Sequence, residues 1–219
     1  LRLFDIKNEI SVVPNFIDLD KYSNHFNDCQ RAMMAKDEER IITHISNLRP
    51  VKRVKDVISV FYNIQKEIPA KLMLVGEGPE RENIELQCQK LGISDKVIFF
   101  GKSNEIDKIL CFSDLFLLPS ETESFGLAAL EAMASSVAVI SSNTGGIPEV
   151  NIHGVSGFLS NVGDVEDMTK NALYILKDKT RLETFKANAR KEALKFDLHK
   201  IVPQYEIIYE DTLSKCSVL

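Results

Sequence analysis

The chain has 219 residues, of which 44% are hydrophobic and 27% are charged, and its 27 Lys and Arg against 32 Asp and Glu give a formal net charge of −5. This composition is typical of a globular protein of one or two domains and excludes a disordered chain. No apolar run approaches the roughly 20 residues that span a bilayer, and the acidic balance disfavours broad nucleic-acid binding.

Residues 1–18 are predicted to be a tail and a linker, with a short strand at residues 10–13 that Pro14 ends. The first residues fit neither a signal peptide nor an initiator methionine, so we expect a piece of a longer protein. The cysteines contain no CxxC pair, which is typical of free thiols in a reducing cytoplasm and predicts a cytoplasmic location. They are Cys29, Cys88, Cys111 and Cys216.

From residue 41 onward, short apolar strands alternate with helical patterns. The predicted strands are residues 41–45, 71–75, 97–100, 115–118, 137–140 and 157–159. Residues 54–68 carry apolar side chains at spacings of three and four, which predicts a helix with one buried face. Because the strands are almost continuously apolar, both faces of the sheet must be covered. We therefore predict an α/β domain with a Rossmann-like, doubly wound parallel sheet over residues 19–200.

Ligands of such sheets bind beyond the carboxyl ends of the strands, so the residues that follow each strand are the candidates for a site. Four cations lie within seven residues after the first strand: Arg49, Lys52, Arg53 and Lys55. Cations at a helix start oppose the helix dipole, so we expect an anion such as phosphate to compensate them. The alternative is an ordinary solvated helix start.

Gly76 and Gly78 follow the 71–75 strand. Glycines at this place let the backbone approach a ligand, although an ordinary tight turn needs them too. Arg81 occupies the last position of a G-x-G-x-x-G fingerprint, and no Walker A lysine follows. A nicotinamide dehydrogenase and a P-loop nucleotidase are therefore both disfavoured. Gly145 and Gly146, after the 137–140 strand, have the same two interpretations.

The 115–118 strand leads into a helix predicted over residues 125–135. Ser124 is the expected N-cap of this helix, and Gly126 leaves the first backbone amides open. Glu131 lies among apolar neighbours, so it is either a buried acceptor for hydroxyl groups or a half-exposed helix glutamate. His44, inside the first strand, is predicted to be a buried core histidine.

Glu123 and Glu131 form an E-x7-E motif in the context E-S-F-G-L-x-x-L-E-A-M. Together with residues 46–52, 76–79 and 145–149, this motif resembles the family-4 retaining glycosyltransferases of the GT-B fold. The resemblance covers nearly the whole chain and implies the C-terminal, nucleotide-sugar-binding lobe of a two-lobed enzyme. Residues 12–18 would be the linker from an N-terminal lobe, and a helix over 201–219 would cross back to that lobe.

The resemblance also implies a role for individual residues. Lys52 would bind the donor diphosphate and neutralise the leaving group, and Glu123 would hold hydroxyls of the transferred sugar; these two are the expected catalytic residues. Many members have Arg where this chain has Asn47, so Arg49 is expected to replace it. Glu131 would accept hydrogen bonds from the ribose hydroxyls, and the backbone of residues 102–103 would contact the nucleobase. The expected donor-binding residues are Asn47, Arg49, Gly76, Gly78, Lys102, Ser103, Phe125, Gly126, Leu127 and Glu131.

The implied reaction transfers a sugar, N-acetylglucosamine from UDP-N-acetylglucosamine, to a small acceptor such as L-malate with retention of configuration. No cofactor is expected apart from the nucleotide sugar, nor a nucleic-acid partner; a homo-oligomer stays open. Asp18-Leu19-Asp20 fits a D-x-D metal motif but lies in the predicted linker, so no metal is expected. The alternatives are a non-catalytic nucleotide-binding or interaction module and a family-4 enzyme with a polysaccharide or lipid acceptor.

Overall fold

The structure, a computed structural model, describes residues 10–22 and 31–216. One parallel sheet of six strands forms its centre, and helices cover both faces. The strands are β1 (Arg40–Ile45), β2 (Ala70–Val75), β3 (Val97–Gly101), β4 (Leu115–Leu118), β5 (Ala138–Ser142) and β6 (Gly157–Ser160). The predicted α/β fold class is confirmed, and each strand from residue 41 onward is found within two residues of its expected bounds.

The helices fill the intervals between the strands and the C-terminal part of the chain. They are α1 (Val54–Glu67), α2 (Arg81–Leu91), α3 (Ile106–Leu110), α4 (Leu127–Ala134), α5 (Ile147–Val150), α6 (Val165–Leu176), α7 (Lys179–Ala193) and α8 (Leu198–Cys216). Alternate residues of the strands pack against opposite layers, as a pleated sheet requires. Leu115 and Leu117 face the core under α1 and α6, whereas Phe116 and Leu118 face the core under α4 and α7.

The strand order is β3-β2-β1-β4-β5-β6, so the direction of winding reverses between β1 and β4. The ladder between these two strands pairs Ile42 with Leu115 and Thr43 with Phe116. The β1–β2 ladder, in contrast, continues to Ile45 and Val75. The carboxyl ends of β1 and β4 therefore lie beside each other without a continuous ladder. This reversal is the place where open α/β sheets form a ligand crevice.

Residues 10–16 form no strand, so the predicted strand at 10–13 is wrong. Val12 is 81% exposed, so this segment buries too little apolar surface to join the sheet. The chain joins the domain at Ile17, whose backbone bonds to Phe196 and Leu198. Ile17, Leu19 and Tyr22 are buried against the α4 and α7 layer. Residues 17–22 thus pack on the domain, and the division into tail, domain and crossover helix stays a prediction.

The thiols differ from one another. Cys88 is a free, buried cysteine, and burial raises the pKa of its thiol to about 11. Cys111 is disulfide-bonded, so the prediction of free thiols is wrong for this residue. Cys29 and the side chain of Cys216 lie outside the described residues. Across residues 10–22 and 31–216, no helix combines the length and the apolar character that crossing a membrane requires.

The loops that contain Gly76 and Gly145 pack tightly against the loops that follow β1 and β4. A Cβ at Gly76 would lie 1.8 Å from the carbonyl oxygen of Ser46, and one at Gly145 would lie 1.7 Å from that of Glu123. Both glycines have positive φ, +119° and +55°. Both glycines are therefore required by their close approach to neighbouring backbone, and their role toward a ligand stays a prediction. The consequence for the site is indirect: these contacts fix the positions of Ser46 and Glu123.

His44 is fully buried and connects β1 to β4 where their ladder has ended. Its Nδ1 lies 2.8 Å from the carbonyl oxygen of Leu117 and its Nε2 lies 2.8 Å from Oγ of Ser46. Because a carbonyl only accepts, Nδ1 carries the proton and donates to Leu117. Burial lowers the pKa of His44 to about 4, so the ring is neutral at pH 7. The expectation of a buried core histidine is confirmed.

The buried His44 makes stability depend on pH. An unfolded histidine takes up a proton near pH 6.5, whereas folded His44 excludes it down to about pH 4. The free energy of unfolding should therefore fall by about 3 kcal/mol as the pH drops through this interval. His44→Asn should lose this part of the pH dependence in urea unfolding experiments. Equal pH dependence in both proteins would contradict the neutral, buried state.

Replacing Gly145 by Ala should destabilise the fold strongly, because the new Cβ would meet the backbone of Glu123. We expect a loss of about 3 kcal/mol or more in the free energy of unfolding. Gly154→Ala is the matched control: φ is +75° there, but nothing lies within 4 Å of the new Cβ. Its loss should be about 1 kcal/mol. Equal losses in urea unfolding would show that the contact with Glu123 does not matter.

Candidate functional site

A cleft of about 410 Å³ lies at the carboxyl ends of β1 and β4. Its walls come from the loop after β1, the loop after β4, the first half of α4 and the N-terminal segment. The lining residues are Asn15, Ile45, Ser46, Asn47, Lys52, Glu123, Ser124, Phe125, Gly126, Leu127, Ala128 and Glu131. Seven of the residues proposed from the sequence thus surround one cleft: Asn47, Lys52, Glu123, Phe125, Gly126, Leu127 and Glu131.

The loop after β1 is bent tightly, and this bend turns Lys52 into the cleft. Residues Pro50–Lys52 form a short 3-10 helix, and Arg53 then takes the left-handed conformation at φ +48°. Leu48, which is fully buried, also has a positive φ of +33°. Such conformations cost roughly 1–3 kcal/mol each and persist only where surrounding contacts enforce them. One such contact is the backbone bond from Glu121 in the loop after β4 to Val51, at 2.8 Å.

Lys52 and Glu123 form an ion pair across the strand reversal. Nζ of Lys52 lies 2.5 Å from Oε1 of Glu123, and the two side chains are only 21% and 14% exposed. Oγ of the buried Ser120 donates to the same carboxylate oxygen at 2.9 Å. The two residues with expected catalytic roles are therefore in direct contact. In this state Glu123 neutralises the cation that was expected to face phosphate.

Two cations that follow Lys52 in the chain also have internal partners. Arg53 bonds to Asp56 at 2.6 Å, and Lys55 lies 3.3 Å from Glu80. The expectation that an anion such as phosphate compensates the cluster is therefore wrong for these two cations: Asp56 of α1 and Glu80, the N-cap residue of α2, compensate them. Arg49 is exposed and has no carboxylate within 4 Å in the described part of the chain. Its side chain is not among those lining the cleft.

The segment between Glu123 and α4 supplies open backbone amides. Gly126, with φ +94°, is the N-cap of α4, and no side chain caps this end. The predicted N-cap, Ser124, is wrong, because the helix begins two residues later than that cap requires. Phe125 is buried and packs edge-to-face on Phe196 at 5.5 Å between ring centroids. This anchor holds the chain so that the first turn of α4 borders the cleft with unused N–H donors.

Glu131 points into the same cleft from the second turn of α4 and is held there by a residue that the sequence did not indicate. The hydroxyl of buried Tyr22 donates a hydrogen bond to the Glu131 carboxylate. Burial raises the pKa of Glu131, while Tyr22 and the charge of Lys21 act in the opposite direction. Burial and the nearby carboxylates also raise the pKa of Tyr22. No spacing in the sequence links a tyrosine before β1 to α4, so only the fold reveals this contact.

A second cavity of about 290 Å³ adjoins the cleft on the β2 and β3 side. It contains Gly76, Lys102 and Ser103 of the predicted set, and it shares Ile45, Ser46 and Asn47 with the cleft. Gly78 lines neither cavity, because it packs against the backbone oxygen of Asn47, which a Cβ would approach to 2.1 Å. The roles given to Gly78 and Arg49 stay predictions. The two cavities together form one elongated surface along the carboxyl ends of the strands.

Within the described residues, no three His, Cys, Asp or Glu side chains are grouped so that they could hold a metal ion. Asp18, of the D-x-D pattern, accepts a hydrogen bond from the backbone N–H of Asp20 at 3.1 Å. It stabilises the turn that leads to Tyr22. The donor atoms of the cleft are cationic and amide groups, which suit an anionic ligand with hydroxyl groups.

Comparisons with known proteins show the family and the fold of the chain. The family model "Glycosyl transferases group 1" matches residues 28–192. The chain is 44% identical over 207 residues to N-acetyl-alpha-D-glucosaminyl L-malate synthase of Bacillus anthracis, covering 94% of this chain and 54% of that protein. It is 28% identical to sulfoquinovosyl transferase SQD2 of Arabidopsis thaliana, over 87% of this chain and 38% of the relative. The chain thus spans about half the length of the first of these relatives, and less of the second.

Among solved structures, HepE of Anabaena in complex with UDP and glucose superposes with a TM-score of 0.82 at 26% identity, covering 93% of this chain and 56% of that one. Sucrose-phosphate synthase of Thermosynechococcus elongatus has the same fold, with a TM-score of 0.87 over 98% of this chain and 55% of that one at 24% identity. From the family match and the shared fold, the chain belongs to the group 1 glycosyltransferases, with a Rossmann-like lobe of the GT-B type.

Proposed function

We propose that the cleft binds a UDP-sugar and that the chain is the donor-binding lobe of a retaining glycosyltransferase. The observation that carries the proposal is the convergence of Lys52, Glu123, Glu131 and the open amides of α4 on one cleft. Cations and helix-start amides suit a diphosphate, and carboxylates suit the hydroxyls of sugars. The HepE complex with UDP and glucose supports the same ligand class.

In this proposal the diphosphate takes the place of Glu123 as the partner of Lys52. The ammonium group and the amides of Phe125, Gly126 and Leu127 then surround phosphate oxygens. The freed Glu123 carboxylate accepts from hydroxyls of the transferred sugar, and Glu131 accepts from the ribose. When the glycosidic bond breaks, negative charge grows on the diphosphate, and these fixed donors stabilise it without reorganisation. The backbone near Lys102 and Ser103 borders the adjoining cavity, where the nucleobase is placed.

The transferred sugar is N-acetylglucosamine and the acceptor a small carboxylic acid such as L-malate. Support comes from the 44% identity to a protein with that printed activity, against 28% for a sulfoquinovosyl transferase. Incubating the longer protein with UDP-N-acetylglucosamine and L-malate tests this pair. Release of UDP only when malate is present is the expected result. Release with polysaccharide or lipid acceptors instead would refute the assignment.

A second lobe completes the site in this proposal. The chain covers 54% of its Bacillus anthracis relative, which leaves room for an acceptor-binding lobe. On α8, Ile207, Tyr209 and Leu213 are each more than half exposed, as a surface that packs on another lobe would be. We expect this chain by itself to bind the donor without turnover. A cytoplasmic location also stays a prediction, and the disulfide of Cys111 removes part of its basis.

Calorimetric titration of the folded chain with UDP and UDP-N-acetylglucosamine tests the central proposal. Both ligands should bind, and NAD should not. A folded sample that binds neither at millimolar concentration would overturn the assignment of the cleft.

Lys52→Ala should weaken UDP binding about tenfold or more, since a charge-assisted contact to phosphate is lost. Uridine, which lacks the diphosphate, should be affected much less. Lys55→Ala is the matched control, because Lys55 lies three residues further on, in the first turn of α1, but pairs with Glu80 outside the cleft. Titration calorimetry of the three proteins with both ligands measures the difference. Equal losses of UDP and uridine affinity would contradict the role of Lys52.

Glu131→Ala should weaken UDP binding by roughly 1–3 kcal/mol through loss of hydrogen bonds to the ribose. Tyr22→Phe should weaken it by only about 1 kcal/mol, because the carboxylate is kept but loses the hydroxyl that positions it. Tyr209→Phe, on the exposed face of α8, is the control and should bind UDP unchanged. The same titrations report all three values. A larger effect of Tyr22→Phe than of Glu131→Ala would mean that Tyr22 meets the ligand itself.

A further inference from the structure

Ser46 occupies the junction of the two cavities and has a constrained hydrogen-bonding state. It lines both the cleft and the adjoining cavity. Its Oγ lies 2.8 Å from Nε2 of His44, and the backbone N–H of Leu48 donates to it at 3.3 Å. The proposed binding of the UDP-sugar leaves this hydroxyl without a role, although Ser46 lies between the proposed positions of the diphosphate and the nucleobase.

His44 determines where the hydrogen of the Ser46 hydroxyl points. Nδ1 of His44 donates to the Leu117 carbonyl, so Nε2 has only a lone pair to offer. The single hydrogen of the Ser46 hydroxyl is therefore committed to Nε2. Ser46 has no second hydrogen for a ligand, and Leu48 N–H uses one of its two lone pairs. One acceptor lone pair of Ser46, a residue that lines both cavities, is therefore left for a ligand.

We propose that His44 is a positioning residue that makes Ser46 an obligate hydrogen-bond acceptor, which selects a ligand O–H or N–H at this junction and disfavours a phosphate oxygen there. The inference rests on the proposed UDP-sugar function and refines it. It predicts that the diphosphate lies toward Lys52 and α4, while a hydroxyl or ring N–H of the nucleoside or sugar meets Ser46. Ser46 then contributes to distinguishing a nucleotide sugar from a bare diphosphate.

The test compares three ligands on the same chain: inorganic pyrophosphate, UDP and UDP-N-acetylglucosamine. Ser46→Ala should weaken UDP, UDP-N-acetylglucosamine or both by about three- to tenfold, the range for one hydrogen bond. Pyrophosphate affinity should stay within about twofold. A loss with both nucleotides assigns the contact to the nucleoside, and a loss with the sugar nucleotide alone assigns it to the sugar. Ser59→Ala, on the surface of α1, is the control.

Two substitutions of His44 separate positioning from a purely structural role. In Asn the amide nitrogen replaces Nδ1, so His44→Asn keeps a donor for Leu117 but leaves the Ser46 hydrogen free. In Gln the amide oxygen replaces Nε2, so His44→Gln keeps an acceptor for Ser46. His44→Asn should change the ratio of UDP to pyrophosphate affinity by about three- to tenfold in favour of pyrophosphate. His44→Gln should keep the wild-type ratio even if its melting temperature falls.

These experiments distinguish failure of the roles given to Ser46 and His44 from failure of the proposed function. If the wild-type chain binds neither UDP nor pyrophosphate, the proposed function fails. If it binds both, but Ser46→Ala weakens pyrophosphate or weakens no ligand, the acceptor role of Ser46 is wrong. If both His44 variants lower the melting temperature and leave the affinity ratio within about twofold, His44 only supports the fold.

Discussion

The parallel pairing of β1 with β4 is the constraint on which the site depends. Because the strand order reverses between them, their carboxyl ends lie together, and the ladder stops after two residue pairs. His44 continues the connection through its bond to Leu117. Two loops then meet, and the ion pair of Lys52 with Glu123, which are 71 residues apart in the chain, joins them. The cleft forms because β1 and β4 are neighbours in the sheet and their ladder ends before their carboxyl ends.

In the proposed function, the ion pair of Lys52 with Glu123 explains how a mildly acidic chain keeps a site for an anion. Most cations near the cleft are neutralised within the protein, which limits the cost of holding them close together. In the proposed function Glu123 neutralises Lys52 until a diphosphate replaces it, so the cation is positioned before the ligand arrives. Fixed donors of this kind stabilise charge that develops on a leaving group. The glycine contacts at Ser46 and Glu123 give the surrounding backbone the required rigidity.

The sequence predicted the sheet well because buried parallel strands leave a direct pattern of continuous apolar residues. It also gave most of the residues around the cleft, because ligands bind where strands end and the E-x7-E context is distinctive. The sequence-based predictions were wrong where contacts in the folded protein overrode a rule that considers only neighbouring residues. Residues 10–13 do not join the sheet, Gly126 rather than Ser124 is the N-cap of α4, and Asp56 of α1 and Glu80 at the N-cap of α2 compensate Arg53 and Lys55.

The sequence by itself determined the element types, the strand ends that carry polar groups and the resemblance to a glycosyltransferase family, since these depend on local periodicity and residue type. Only the tertiary structure decided the partners: Tyr22 on Glu131, His44 on Leu117 and Lys52 on Glu123. These contacts join segments whose separation in the chain follows no period. They arise from the order of strands in the sheet, and side-chain packing then fixes which polar atoms meet.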